Sequence, residues 1–179
     1  MGNRTQFYEH QLKLDQIVDQ YSDVENSLRD YFNANHPQYP IRFVGYTVND
    51  VNAELQLRQS ENNRATTLTI LSFLEASFRI DYLQRCYLKK KDKLSRAFRE
   101  IHKHRGSRAR FEEDILEGWK QFTTVSPSLI GEVCGVWNYR NWLAHGRYWV
   151  PKLGQRYDYD DVYTLVEEIL IEFPFESLT

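Results

Sequence analysis

The chain has 179 residues, of which 41% are hydrophobic, 15% aromatic and 27% charged, with a net charge of −2. No apolar run approaches the roughly 20 residues that cross a bilayer, and residues 1–9 lack a signal-peptide core. Two separated cysteines exclude a disulfide framework. We therefore expect a cytoplasmic protein with no membrane association. Residues 84–110 contain eleven Lys or Arg and two acidic residues (+9), whereas the rest carries about −11. Such clustering suits a polyanionic partner such as RNA better than the net charge suggests, and the alternative, which such a run most often represents, is a solvated helix face.

The first half of the chain is predicted to form two helices joined by a loop. Apolar residues at spacings of three and four predict a first helix over residues 6–33, ended by Pro37. Residues 37–49 show no such period and are predicted to be a loop. Its apolar residues could form a short strand or fill a groove. A second helix is predicted over residues 50–90. Its second half places apolar residues every three or four positions, at Leu68, Leu71, Leu74, Phe78 and Tyr82.

The second half is predicted to form four further helices. A basic helix begins at Lys89 and is broken by Gly106, and another runs from Ser107 or Arg108 to Phe122. Ser126-Pro127 is a typical helix start, which predicts a helix over residues 127–145 with Gly146 as its left-handed C-terminal cap. A loop over residues 150–159 and a last helix over residues 160–173 follow. We therefore expect one all-α domain over residues 1–179, with five to six helices.

The densest polar chemistry lies in residues 139–149, where aromatic rings surround an arginine and a histidine. On a helix, Asn141 and His145 share a face, and Arg140 lies about 100° round from Asn141. The planar fork of arginine suits a phosphate, and it can stabilise a developing negative charge. Histidine titrates near neutral pH and suits proton transfer at an RNA 2′-hydroxyl. These groups are sufficient for RNA cleavage without a metal ion.

Arg140, Asn141, His145 and Gly146, in the order RNxxxHG at the end of a predicted helix, resemble the RxxxxH signature of the HEPN superfamily. The resemblance implies an all-α HEPN bundle and a metal-independent endoribonuclease that needs no cofactor. It also implies a homodimer in which two motifs meet across a shared cleft. Proteins of this superfamily are common in bacterial toxin–antitoxin and antiviral defence systems, so an antitoxin or another defence protein is an expected partner.

The resemblance assigns roles to four residues. Arg140 would clamp the phosphate, His145 would act as the general acid or base, and Asn141 would orient the backbone or His145. Some HEPN proteins add an acidic residue from an earlier helix, and Glu75 is the candidate because its charge interrupts an apolar stripe. The alternatives are a structural arginine, a histidine that caps the helix, and an ordinary ion pair between Glu75 and Arg79 four residues on.

RNA contacts are expected at two further places. Arg147 and Tyr148 follow the motif directly and are expected to help hold RNA. The polar face of the basic helix supplies the other predicted contacts, at Lys93, Arg96 and Lys103. The four tryptophans are expected in the core or a dimer interface rather than in base stacking. No HExxH, paired-cysteine or glycine-rich phosphate motif occurs, so we predict no metal and no nucleotide cofactor.

Two other functions fit the same residues. The chain could be a non-catalytic helical module that binds RNA or a protein and keeps the motif for structure. It could also be an antitoxin-like adapter whose acidic remainder contacts a partner. Exposure of Arg140 and His145 in a basic groove would favour the nuclease, whereas burial of both against Trp137 and Trp142 would favour the module.

Overall fold

The computed structural model describes residues 4–153 and 157–176, and these form seven α-helices and no strand. The helices are α1 (Leu14–Tyr31), α2 (Tyr39–Arg42), α3 (Val48–Tyr87), α4 (Lys93–Arg105), α5 (Glu117–Phe122), α6 (Pro127–Ala144) and α7 (Tyr159–Glu172). The all-α prediction is confirmed, whereas the predicted number of five to six helices is wrong. None of the described helices is long and apolar enough to cross a membrane.

Helix α3 is the axis of the fold. Its 40 residues span about 60 Å at 1.5 Å per residue. It begins at a capping box, in which Thr47 accepts a hydrogen bond from the Asp50 backbone N–H and the Asp50 side chain accepts one from the Thr47 backbone N–H. Helices α1, α4, α6 and α7 all pack against α3. The largest fully buried side chains of this core are Trp119, Tyr82, Phe78 and Phe98.

A smaller core lies at the N-terminal end of α3 and explains the additional helix. Phe32, Phe43 and Val51 are buried there together, and the rings of Phe32 and Phe43 are 5.2 Å apart. The segment predicted as a loop over residues 37–49 contains the short helix α2, which turns Phe43 inward and leaves Ile41 70% exposed. The predicted alternative of a plug in a groove therefore describes Phe43, and the strand alternative is wrong.

Helix α1 starts at Leu14 rather than at residue 6. The residues before it run along the end of α3, where Arg4 donates to the Tyr87 carbonyl (3.0 Å) and the ring of Phe7 packs 6.5 Å from the ring of Tyr87. Tyr8 and Leu12 are largely exposed, so a helix here would have no apolar stripe to bury.

Two other helices also start later than predicted. Helix α4 begins at Lys93, because the Asp92 side chain accepts from the Ser95 N–H and caps it (2.9 Å). Before α5, a 3₁₀ turn (Gly106–Arg108) is followed by extended backbone at Ala109 and a π-helical turn (Phe111–Leu116). Ala109 is buried and its carbonyl accepts from Arg79 of α3 (3.0 Å), so the chain extends here to reach the core.

The end of the chain is fastened to α3 by a buried ion pair. Arg85 Nε lies 3.0 and 2.9 Å from the two carboxylate oxygens of Asp81, and Arg85 Nη2 donates to the Pro174 carbonyl (2.7 Å). The Glu176 N–H donates to Asp81 (2.8 Å). Burial raises the pKa of Asp81 to about 6, although the charge of Arg85 acts in the opposite direction.

The predicted loop over residues 150–159 is partly described. Residues 150–153 and 157–158 are not helical, and residues 154–156 of the predicted loop lie outside the described residues. Asp158 then caps α7, because its side chain accepts from the Asp161 N–H (3.0 Å).

Candidate functional site

Residues 139–149 end helix α6 and turn the chain. The Gly146 N–H donates to the Leu143 carbonyl (3.2 Å) and the Arg147 N–H to the Trp142 carbonyl (3.1 Å), which together form a Schellman cap. Gly146 has a φ of +78°, which explains why glycine stands there. The predicted cap is confirmed, and His145 is the last residue before the turn.

Arg140 is held from three sides. Its Nη2 lies 3.1 Å from Glu75 Oε2 of α3, its Nη1 lies 3.4 Å from Asn141 Oδ1, and its Cζ lies 5.0 Å from the ring centre of Trp137. Its side chain is 26% exposed. Its Nε is shielded from solvent and has no hydrogen-bond partner among the described residues. This donor is buried, so an acceptor that approaches from solvent does not reach it.

Glu75 joins two arginines. Arg79 donates from Nε to Glu75 Oε1 at 2.7 Å, so the expected ion pair four residues along the helix is confirmed. The other carboxylate oxygen faces Arg140, so the structure also brings the predicted acidic residue to the arginine of the motif. Only 16% of the Glu75 side chain is exposed, which strengthens both charge-assisted contacts relative to surface pairs.

His145 stands apart from this pair. It is exposed, its backbone N–H donates to the Asn141 carbonyl (3.0 Å), and its ring lies 6.4 Å from the ring of Trp149. Among the described residues, no hydrogen bond to the imidazole is found. The side-chain oxygen of Asn141 faces Arg140, and only its backbone carbonyl meets His145. The imidazole is therefore accessible to a substrate and to water.

Arg147, a predicted RNA contact, already has an acidic partner. Both of its terminal nitrogens donate to Glu61 of α3 at 2.9 Å, which raises the pKa of Arg147 and lowers the pKa of Glu61. Tyr148 is 84% exposed and lies edge-on to Trp149, with 4.6 Å between ring centres. Tyr148 is therefore accessible to a ligand, whereas a ligand phosphate would have to compete with Glu61 for Arg147.

The basic helix α4 does not join the motif. It packs against α3 and α5, and no described hydrogen bond or ion pair links it to residues 139–149. Lys93 and Arg96 line an open groove of about 390 Å³, whereas Lys103 pairs with Glu100 (2.7 Å). Other cations of residues 84–110 have acidic partners as well: Arg85, Lys90, Arg105 and Arg110. The surface is thus less basic than the sequence predicts.

A second, larger polar cleft was not predicted from the sequence. It has a volume of about 570 Å³ and lies where α1, α3, the end of α6 and the start of α7 meet. A signal for it exists in the sequence, because Glu25 interrupts the apolar face of α1 just as Glu75 interrupts that of α3. Glu25 is only 8% exposed.

Two findings complete the description of the site. In the described part of the chain, no three His, Cys, Asp or Glu side chains are grouped so that they could hold a metal ion. Comparisons with protein-family models, curated proteins and solved structures give no match to this chain. A relation to the HEPN superfamily therefore rests on the motif and its surroundings.

Proposed function

We propose that the chain is a HEPN-like endoribonuclease that cleaves RNA without a metal ion. The observation that carries the proposal is the contact between Arg140 and Glu75, 3.1 Å across two helices, beside an exposed His145. The motif arginine is thereby fixed by an acidic residue from an earlier helix, and the motif histidine stays accessible. Arg140 and His145 are five residues apart, about 7.5 Å along the helix axis and about 140° round it, so the proposal takes the groups that meet one phosphodiester from two subunits.

The chemistry follows from these two groups. A neutral His145 takes the proton of the RNA 2′-hydroxyl, and the 2′-oxygen attacks the adjacent phosphorus. The bond from phosphorus to the 5′-oxygen breaks, and a protonated His145 of a second copy returns a proton to that oxygen. The products are a 2′,3′-cyclic phosphate and a 5′-hydroxyl. Arg140 stabilises the charge that develops on the phosphoryl oxygens.

The proposal includes a homodimer with a composite site, under the control of an antitoxin or another defence protein. Apolar surface beside the motif supports a protein interface there. Tyr148 is 84% exposed and Val150 is 88% exposed, and both follow His145 within five residues.

Cleavage of a mixed RNA substrate in EDTA tests the proposal. Wild type is expected to cut and to leave 2′,3′-cyclic phosphate ends, and His145→Ala is expected to be slower by at least about 100-fold. His104→Ala is the matched control, because His104 is an exposed histidine of α4 with no described hydrogen bond. Cleavage that requires Mg²⁺, or equal cleavage by wild type and His145→Ala, would contradict the mechanism.

The composite site has its own test. Wild type refolded together with His145→Ala is expected to lose activity as the square of the wild-type fraction, because a mixed dimer lacks one of the two His145 side chains that the cleavage uses. All three samples are compared at one oligomeric state by size-exclusion chromatography. Activity that falls in direct proportion to the wild-type fraction, with mixed dimers present, would argue against sites shared between subunits.

A non-catalytic module that binds RNA or a protein is the second candidate. One observation favours it: Arg140 is engaged by Glu75 and stacked on Trp137, as a structural arginine would be. A folded protein that does not cut but binds RNA, with affinity that falls steeply with salt, would favour this candidate.

A further inference from the structure

The polar cleft between α1, α3 and α6 has the size and lining of a ligand site. Its volume of about 570 Å³ falls within the range of small-molecule pockets, about 300–1,000 Å³. One wall is a row of polar side chains one or two turns apart on α3. These are Gln56, Gln59, Ser60, Asn63 and Arg64.

Glu25 gives the cleft a buried hydrogen-bond acceptor. Only 8% of Glu25 is exposed. Its carboxylate accepts hydrogen bonds from Gln59 (2.8 Å) and Asn62 (3.0 Å), one at each oxygen. A carboxylate has about four acceptor positions, so each oxygen keeps one. The nearest cation is Arg29 at 4.0 Å, and its side chain is 67% exposed. A ligand with two neighbouring N–H donors could use the remaining acceptor position of each carboxylate oxygen.

Tyr21 gives the cleft a flat aromatic surface. It belongs to α1, lines the cleft and stacks on Tyr159, with 3.8 Å between ring centres. Tyr139 of α6 also lines the cleft, but it is buried and its ring is stacked on Tyr157 (5.4 Å) and on Trp142 (5.7 Å), so Tyr21 is the ring that we assign to a base. Planar heterocycles stack on such rings with a gain that does not depend on base identity. Identity must then be read by the polar groups.

We propose that this cleft binds one guanine nucleotide of the RNA, with the carboxylate of Glu25 reading the guanine edge. Guanine is the RNA base that offers two adjacent donors, N1–H and the N2 amino group, to one carboxylate. The lining holds Glu25, Asp158 and one cation, Arg64, which suits a single nucleotide that offers several donors from its base and one phosphate. The proposal rests on RNA as the substrate.

The cleft is connected to the motif by a chain of charges. Arg64 lines the cleft and pairs with Glu61, and Glu61 holds both terminal nitrogens of Arg147. Tyr139, on the cleft wall, precedes Arg140 directly. A nucleotide seated in the cleft with its phosphate toward Arg64 would thus lead the RNA strand toward the end of α6. Guanine recognition here would select the position of cleavage.

Calorimetric titration of the intact protein with GMP, AMP, CMP and UMP tests the proposal apart from any cleavage. GMP is expected to bind, and the other three are expected to bind at least about tenfold more weakly, because they lack the paired donors. Glu25→Gln is expected to weaken GMP by about tenfold or more, since an amide offers a donor where the base also donates. Equal affinity for all four nucleotides, or no binding of GMP, would overturn the guanine site.

Two further variants separate loss of the site from loss of the fold. Glu132→Gln makes the same chemical change at an exposed residue of α6 and is expected to bind GMP as wild type does. Ser60→Trp fills the cleft from an exposed position and is expected to abolish binding while circular dichroism stays unchanged. GMP binding that survives Ser60→Trp would place the nucleotide elsewhere and refute the site. GMP binding without RNA cleavage would refute the nuclease and leave the site standing.

Discussion

Removing the carboxylate of Glu75 leaves two guanidinium groups, those of Arg79 and Arg140, without their shared partner. The Glu75 side chain is 16% exposed and makes contacts of 2.7 and 3.1 Å. Fully exposed ion pairs contribute about 0.2–1 kcal/mol each and charge-assisted hydrogen bonds about 1.5–3 kcal/mol. Because Arg79 and Arg140 are 35% and 26% exposed, we assign each pair about 1 kcal/mol, toward the weaker end.

Repulsion between the two stranded cations adds up to about 1 kcal/mol, so Glu75→Ala is expected to lower the free energy of unfolding by about 2–3 kcal/mol. For a chain of this size that corresponds to a fall in Tm of about 4–12 °C. Thermal unfolding followed by circular dichroism measures it, with Glu132→Ala as the control because Glu132 is exposed on α6. A fall no larger than that of the control would refute the reasoning.

A double-mutant cycle separates the two pairs. Glu75→Gln combined with Arg140→Gln is expected to show a coupling free energy of about 1 kcal/mol, because the two residues are in direct contact. A coupling near zero would mean that the Arg140 contact contributes nothing to stability. In that case Glu75 could still position Arg140 for RNA, and cleavage by Glu75→Gln would report that role.

Three other outcomes follow from the structure. Gly118→Ala is expected to destabilise the fold by about 1–3 kcal/mol in urea unfolding, since its Cβ would lie 2.6 Å from a ring carbon of the fully buried Phe98. Gly146→Ala is expected to cost about 1 kcal/mol through its positive φ, with no steric clash. Asp81 has a folded pKa of about 6, above its unfolded value, so its ionisation destabilises the fold as pH rises. As the pH falls from 7 to 5, the free energy of unfolding of wild type should therefore increase relative to that of Asp81→Asn.

The sequence predicted the helices well where apolar residues recur with a helical period. It predicted a helix boundary poorly where a contact with a distant residue sets that boundary. Leu71, Leu74, Phe78 and Tyr82 identified α3 because their period is a local property. The true start of α1 depends on Tyr87, 80 residues from Phe7, to which the N-terminal segment binds. No local pattern contains such a contact.

The same distinction applies to the candidate site. The Gly146 cap follows from neighbouring residues and was predictable. The contact of Glu75 with Arg140 was anticipated only in that a carboxylate within an apolar stripe needs a partner. That Glu61 neutralises Arg147, and that Glu25 opens a polar cleft, depend on how α1 and α6 dock on α3, which single-chain periodicity does not specify.

Helix α3 has a consequence for how the molecule opens. Its first fifteen residues bury only Val51, whereas residues from Thr67 to Cys86 supply eight of the buried residues of the main core. Amide hydrogens in the first part should therefore exchange with solvent through local fraying, and those in the second part only through global unfolding. The row from Gln56 to Arg64 lies at the end of the first region. A molecule bound there would slow exchange selectively in the weaker half, so one rod-like element would report both folding and occupancy.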